Sequence, residues 1–290
     1  MNSKNILLLI LLSAIWGGSF IFMRVLAPVF GAIGTANLRL LIAALFLLAF
    51  YKISKYSIQW KRDWKFLLTI GVLNSAIPFT FFSFAALHIP ASISVVINAM
   101  TPMFGTLFEV LILKMKLTLR KTIGLAIGIL GVVIISGSKS LSGTPESYLA
   151  IFACLMATFF YGLSGALIKK HGAKVEAKAL AGGSQLFAGL ALLPFLFTSG
   201  LSVSLTPRIA ITMITFAILC SAIAYLIYYH LIKEMGPTPA LSVTFLMPIF
   251  GILWGNLILG EAITLQMVFS ALLILVGVFL IVKKKKKENV

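Results

Sequence analysis

Ten apolar runs, each long enough to cross a lipid bilayer as a helix, dominate this sequence of 290 residues. A helical span needs about 20 mostly apolar residues, and a backbone in lipid must satisfy its own hydrogen bonds. Because 60% of the residues are hydrophobic and 11% are charged, a soluble domain could not bury the apolar surface. We predict an all-α integral membrane protein with transmembrane helices near 5–23, 31–51, 65–87, 90–113, 119–137, 147–168, 178–198, 209–230, 237–259 and 263–282.

The basic residues orient these runs in the membrane. With the N-terminus inside, roughly 20 Lys and Arg face the cytoplasm against about 3 on the other side, which places both termini in the cytoplasm. The net charge of +17 arises from short clusters between apolar runs. This pattern is typical of membrane topology and not of nucleic-acid binding. We expect a multi-pass protein of a prokaryotic cytoplasmic membrane, partnered by the lipid bilayer, with a basic cytoplasmic tail at 283–290.

The sequence contains an internal repeat: its second half aligns with its first half at an offset of about 146 residues. Residues 1–140 and 146–285 would then form two repeats of five helices. Because five is odd, the second repeat must enter the membrane inverted, which is an architecture of secondary transporters with a site between the halves. The matching segments are Asn74-Ser-Ala-Ile with Cys220-Ser-Ala-Ile, Pro102-Met-Phe-Gly with Pro248-Ile-Phe-Gly, and, one residue out of register, Trp16-Gly-Gly-Ser with Tyr161-Gly-Leu-Ser.

Arg39 lies inside the second apolar run, and Gln185 occupies the matching position of the second repeat. A charged side chain deep in a bilayer costs roughly 2.5–3.5 kcal/mol on insertion scales, so Arg39 must find partners. We expect both side chains to face the protein interior or a hydrated cavity in a structural or gating role. Direct contact of Arg39 with a solute, and snorkelling of Arg39 to the outer headgroups, remain as alternatives.

Pro102 and Pro248 lie near the middle of the fourth and ninth runs. Each removes a backbone hydrogen bond and frees the carbonyl four residues earlier, on Asn98 and Thr244. Matched interruptions in two halves indicate a gate or a binding site, although a plain packing kink remains an alternative. Uncharged polar and aromatic side chains suit a zwitterion or an uncharged amphipathic solute. The expected substrate-binding residues are Trp16, Asn74, Ser75, Asn98, Thr101, Tyr161, Ser221, Tyr225, Tyr228, Ser242 and Thr244.

Glu109 is the acid that lies inside a predicted span. An interfacial carboxylate paired with Lys114 or Lys116 is the favoured interpretation, and a proton-coupling site is the alternative. Protons are therefore an open partner. The two cysteines and three histidines show no metal-ligand spacing. We expect no metal and no cofactor, and the sequence leaves a homodimer open.

These features together resemble the drug/metabolite transporter superfamily, EamA type. The residues concerned are Trp16-Gly-Gly-Ser in the first run, Arg39 with Ala43 in the second, the paired prolines, and Leu259-Gly-Glu-Ala before the last. The resemblance covers nearly the whole chain and implies ten helices around a central cavity, lined mostly by helices 1–4 and 6–9. It also implies export or import of amino acids, metabolites or drugs. Only the second repeat carries Gly-Glu before its last helix, so we expect Glu261 to cap or tether that helix.

The predicted function is secondary transport of a small organic solute by alternating access, with export favoured. Two other classes stay open: a membrane scaffold or receptor without transport, and an intramembrane serine hydrolase. The segment Gly162-Leu-Ser-Gly matches the Gly-x-Ser-Gly of intramembrane serine proteases, with Ser164 as the nucleophile. Such an enzyme needs a histidine within hydrogen-bond reach of the serine. Because a hydrolase has no use for an inverted duplication, we predict that the protein is not an enzyme.

Overall fold

Long runs of Leu, Ile, Val, Phe and Ala form helices in the computed structural model, which describes residues 3–138, 141, 143–196, 206–235 and 243–282. No strand occurs among these residues. The largest cluster of buried apolar side chains contains residues from most of the helices, which pack around it. In chain order, the helices of the described part of the chain are α1 Ser3–Ile53, α2 Trp60–His88, α3 Ala91–Leu113, α4 Leu119–Ser136, α5 Pro145–His171, α6 Ala177–Leu196, α7 207–235, α8 Val243–Leu259 and α9 Leu265–Val282.

Eight helices in the described ranges are long and apolar enough to cross a membrane. The exception is α8, which has 17 described residues. The sequence predicted that its run begins at residue 237, but residues 236–242 lie outside the described part of the chain, as does the tail at 283–290. The all-helical architecture therefore agrees with the sequence, whereas ten separate crossings remain a prediction.

Helix α1 extends over 51 residues and folds back on itself at Gly31. In one straight helix, Trp16 and Arg39 would be roughly 35 Å apart. Instead, Trp16 Nε1 and Arg39 Nη2 both donate to the carbonyl oxygen of Cys220. Gly31 has φ 68° and ψ 172°, a backbone conformation that is essentially restricted to glycine. The helix therefore consists of two limbs, residues 3–30 and 32–53.

Helices α2 and α7 each contain one π-helical segment, at Val72–Ala76 and Ile218–Ile223. A π-helical segment locally widens a helix and is frequent at functional sites. The two segments begin at matching positions of the predicted repeats. They therefore place Asn74 and Ser75, and also Cys220 and Ser221, at equivalent irregularities of the backbone.

Helices α3 and α8, which contain the matched prolines Pro102 and Pro248, differ from each other. Helix α3 is interrupted after Asn98 and resumes at Thr101, so that Pro102 lies in the first turn of the resumed segment and not in the middle of a helix. Thr101 Oγ1 donates to the Asn98 carbonyl oxygen over 2.8 Å. The carbonyl that the sequence predicted to be free is therefore bonded. By contrast, α8 continues through Pro248.

Helices of the two predicted halves approach closely at glycines. A Cβ atom built on Gly17 would lie 2.9 Å from the nitrogen of Gly251, and one built on Gly162 would lie 2.6 Å from the nitrogen of Gly105. Such small-residue contacts let the backbones of membrane helices come together. The first limb of α1 therefore packs against α8, and α5 packs against α3. The two contacts are equivalent in the repeat alignment.

Candidate solute-binding site

Arg39 is buried at the centre of the protein, with 4% of its surface exposed. Its Nε donates to Ser221 Oγ over 2.6 Å, and its Nη2 donates to the Cys220 carbonyl oxygen over 3.4 Å. The guanidinium carbon lies 3.8 Å from the centre of the Phe79 ring and 4.5 Å from that of Phe216. Aromatic faces attract a cation and offset part of its desolvation. Arg39 is thus held inside the protein and does not snorkel to the headgroups.

Three aromatic side chains form a half-buried group beside Arg39. The Trp16 ring lies 5.9 Å from that of Tyr225, in an edge-on arrangement, and 5.3 Å from that of Tyr228. Trp16 Nε1 donates to the Cys220 carbonyl oxygen over 3.2 Å. The sequence predicted that these three residues bind substrate, and the structure brings them together between α1 and α7.

A second polar contact joins α5 to the π segment of α2. Ser164 Oγ donates to Asn74 Oδ1 over 2.7 Å. In the repeat alignment Asn74 matches Cys220, whose carbonyl oxygen accepts from Trp16. The first helix of each predicted half therefore contacts the π segment of the other half. The Tyr161 side chain, one turn before Ser164, stacks near Phe82 with ring centres 6.1 Å apart.

Gln185 approaches the same centre from α6. Its Nε2 donates to the Ser221 carbonyl oxygen over 3.3 Å. Gln185 and Arg39 therefore bind the same residue. The Oε1 atom of Gln185 is buried and has no hydrogen-bond partner in the described part of the protein. The site thus contains an acceptor that a donor could satisfy.

The remaining predicted site residues lie further along α3 and α8. Asn98 and Thr101 flank the interruption of α3, and the Asn98 Oδ1 atom is buried without a hydrogen-bond partner among the described residues. Ser75 is buried in the π segment of α2, and Thr244 is half-buried in the first turn of α8. No hydrogen bond among the described residues joins Asn98, Thr101 or Thr244 to Arg39. Ser242 lies outside the described residues.

Glu109 forms an ion pair, but not with the predicted partners Lys114 and Lys116. Lys169 Nζ lies 2.6 Å from Glu109 Oε1 and comes from the end of α5. The physical reason is that Lys114 ends the helix in a left-handed conformation, with φ 54°, and turns the chain away. The predicted type of contact is present, whereas the predicted partner was wrong.

Glu261 caps α3 and not the last helix. Its carboxylate oxygens accept hydrogen bonds from the backbone nitrogens of Ala91 and Ser92 over 2.7 and 2.9 Å, and also from the Ser92 hydroxyl. A carboxylate at a helix N-terminus satisfies unpaired N–H groups and complements the helix dipole. Glu261 therefore tethers the segment between α8 and α9 to the start of α3, which corrects the prediction that it caps or tethers the last helix.

Four residues of this centre were missed by the predicted substrate set: Phe79, Ser164, Phe216 and Cys220. The repeat contained a signal for two of them, because Phe79 matches Tyr225 and Cys220 matches Asn74. Ser164 was considered only as a hydrolase nucleophile. It donates to an amide oxygen, and no histidine accepts from it in the described part of the chain. Phe216 carries no sequence signal within its apolar run.

The fold and this polar, aromatic centre define a polytopic helical membrane protein with a site between its helices. The EamA-like transporter family matches residues 3–137 and, a second time, residues 148–283. The chain therefore belongs to the EamA-like transporter family. An uncharacterized transporter of Archaeoglobus fulgidus is 23% identical over 282 residues, covering 97% of this chain and 100% of that protein.

Two further comparisons agree with this assignment. The uncharacterized inner membrane transporter YedA of Escherichia coli (strain K12) is 24% identical over 277 residues, covering 92% of this chain and 89% of YedA. A solved crystal structure has a TM-score of 0.69 at 15% identity and covers 97% of this chain and 96% of its own, which shows the likeness of the fold. The predictions of the family and of a multi-pass membrane protein are confirmed. Because the family and these relatives are transporters, the hydrolase alternative is set aside.

Proposed function

We propose that this protein is a secondary transporter that moves a small organic solute across the cytoplasmic membrane by alternating access. The observation that carries the proposal is that the first helix of each predicted half contacts the π segment of the other half. Ser164 of α5 binds Asn74 in the π segment of α2, and Trp16 of α1 binds Cys220 in the π segment of α7. Contacts related in this way suit two halves that rock against each other around a site at their interface.

The proposed topology has ten crossings in two inverted five-helix repeats around a central cavity. It is supported by the fold of α1 at Gly31, because each limb is long enough to cross the bilayer alone. The equivalent glycine contacts, Gly17 with Gly251 and Gly162 with Gly105, also support it. We place both termini in the cytoplasm because of the bias of basic residues. Export is the proposed direction.

Reconstitution into proteoliposomes tests this function. Uptake and efflux of radiolabelled amino acids, other organic acids and cationic drugs would be followed with and without a pH gradient. The site is tested with Ser164→Ala, which removes the bond to Asn74. Ser136→Ala is the matched control, because Ser136 Oγ donates only to the Val132 carbonyl of its own helix. We expect solute flux above that of protein-free liposomes. Ser164→Ala should slow this flux, and Ser136→Ala should not.

Two results would contradict the proposal. If no solute moved faster than in protein-free liposomes, a scaffold or receptor role would replace transport. If Ser136→Ala and Ser164→Ala slowed flux equally, the contacts at the π segments would not be part of the transport site.

A further inference from the structure

The guanidinium of Arg39 has no anionic partner within the described residues. Of its five N–H groups, one on Nε and one on Nη2 are bonded, to Ser221 Oγ and to the Cys220 carbonyl oxygen. The edge of the guanidinium that carries Nη1 makes no hydrogen bond in the described part of the chain. Both acceptors are neutral, and so are the two phenylalanine rings. A buried charge without a counter-ion is strongly unfavourable.

None of the acidic residues that the structure describes supplies that counter-ion. There are seven Asp and Glu residues in the sequence. Within the described residues, three are held by other groups and three are exposed, and the seventh belongs to the tail at 283–290. They are Asp63, paired with Arg62; Glu109, paired with Lys169; Glu261, bonded to Ala91 and Ser92; the exposed Glu146, Glu176 and Glu234; and Glu288.

We infer that the missing counter-ion is the carboxylate of the transported solute, which pairs with the free edge of Arg39. The inference rests on the proposed transport function and names the class of its substrate. An arginine edge with two N–H groups matches a carboxylate in a bidentate arrangement. Because Arg39 is 4% exposed, the pairing belongs to a state in which the two halves open toward it.

The surroundings of Arg39 define the rest of the solute. Trp16 shares the Cys220 carbonyl with Arg39, and its ring packs against Tyr225 and Tyr228. An aromatic wall of this kind favours an apolar or aromatic body next to the carboxylate. A solute that carries only a positive charge would meet a buried arginine and no carboxylate of the described residues, so we expect cationic drugs not to bind here. The substrate class is a small amphipathic carboxylate, with or without an amino group.

A set of three matched ligands tests the carboxylate. L-Phenylalanine, 3-phenylpropanoate and 2-phenylethylamine share a ring, and only the first two carry a carboxylate. A ligand that binds only the folded protein raises its thermal unfolding temperature, so binding to the purified full-length chain can be measured without transport. We expect the two carboxylates to bind at least about tenfold more tightly than the amine. Equal stabilisation by all three would overturn the inference.

Gln185→Glu tests whether Arg39 is responsible. This nearly isosteric change places an internal carboxylate on a residue that contacts Ser221, as Arg39 does. Gln266→Glu is the matched control, because Gln266 Nε2 also donates to a carbonyl oxygen, that of Ile134, on a distant helix. We expect Gln185→Glu to abolish the preference for carboxylates and Gln266→Glu to retain it. A preference retained in Gln185→Glu would overturn the inference.

Arg39→Lys and an inorganic anion test the geometry of the pairing and the identity of the counter-ion. Arg39→Lys keeps the charge but loses the planar fork, so we expect weaker binding with the preference for carboxylates retained; binding as in the wild type would count against a bidentate contact. If chloride stabilised the protein as much as the organic acids do, the counter-ion would be inorganic and the inference would fail. Flux in proteoliposomes is measured separately. If the flux did not depend on whether the solute carries a carboxylate, this inference alone would be overturned. If carboxylates bound selectively but no solute moved, the proposed transport function alone would be overturned.

Discussion

Gly162 of α5 and Gly105 of α3 are so close that a Cβ atom on Gly162 would lie 2.6 Å from the nitrogen of Gly105. The contact brings the backbones of two helices together directly after Tyr161, one of the predicted site residues. Its equivalent, between Gly17 and Gly251, follows Trp16 in the same way. The position of each aromatic side chain therefore depends on a helix crossing that admits no side chain.

Gly162→Ala is expected to destabilise the protein by about 1–3 kcal/mol, because the added methyl group would force the two backbones apart. Gly165→Ala, on the same helix, is the matched control, since a Cβ atom there meets nothing within 4 Å. In a helix, that change should be neutral or stabilising by up to about 1 kcal/mol. Thermal or detergent-induced unfolding of the purified variants measures both. Equal stability of the two variants would contradict a tight crossing.

Glu261→Ala is expected to destabilise the start of α3 by about 1–2 kcal/mol, because two backbone N–H groups lose their acceptor. Glu261→Gln keeps an acceptor oxygen but loses the charge, so an intermediate effect is expected. Glu234→Ala removes an exposed carboxylate from α7 and serves as the control. Unfolding measurements on the three variants give the order. A loss for Glu234→Ala as large as for Glu261→Ala would show a general effect of charge and not a cap.

Glu109→Gln tests the two interpretations of this carboxylate. Glu109 and Lys169 have side chains that are 26% and 54% exposed, and pairs of this kind contribute about 0–1 kcal/mol. We expect solute flux and its response to a pH gradient to be unchanged in Glu109→Gln, and likewise in Lys169→Met. Flux in proteoliposomes at opposite pH gradients is the measurement. Loss of the gradient response with solute exchange intact would instead identify Glu109 as a proton-coupling site.

Pro102→Ala and Pro248→Ala are expected to shift the protein toward opposite-facing states, because the two helices are proposed to run in opposite directions. The shift should be larger for Pro248→Ala. Pro248 lies inside a continuous helix and forfeits a hydrogen bond there, whereas Pro102 occupies a helix start, where proline is well tolerated.

Maleimide labelling of single cysteines at the two mouths of the proposed cavity measures this shift. The background would carry Cys154→Ala and Cys220→Ser, since both native cysteines are free and buried. Reciprocal changes of labelling rate are the expected result. If both proline variants label and transport like the parent, the prolines are packing kinks without a gating role.

Hydropathy was sufficient to predict the helices, because only long apolar stretches can form spans. The predicted run 119–137 became Leu119–Ser136, and 263–282 became Leu265–Val282. It could not show that the first two runs form one helix that turns back at Gly31, because the turn depends on the backbone conformation of a single glycine. It could not show the π segments either, since a π turn and an α turn can have the same composition.

The repeat was the better guide to the site. It aligned Asn74 with Cys220, and each of these residues contacts the first helix of the other predicted half. That the predicted site residues bind a solute stays a prediction. The partners of the charged residues could not be predicted in the same way. Phe216 in an apolar run does not differ from a phenylalanine that faces lipid, and Lys169 lies 60 residues from Glu109. Long-range contacts of this kind depend on which helices pack together, and the local sequence contains little information about that packing.

The separation of Arg39 from its partners has a consequence for biosynthesis. Ser221, which accepts its hydrogen bond, is 182 residues further along the chain. At synthesis rates of about 5–20 residues per second, the second limb of α1 is made roughly ten to forty seconds before that partner. During this interval the nascent chain carries an unpaired arginine in or near the bilayer. Early insertion of this limb must therefore depend on the apolar residues around Arg39. Replacing those residues with polar ones should expose the unfinished chain to membrane proteases before the second half of the protein is synthesised.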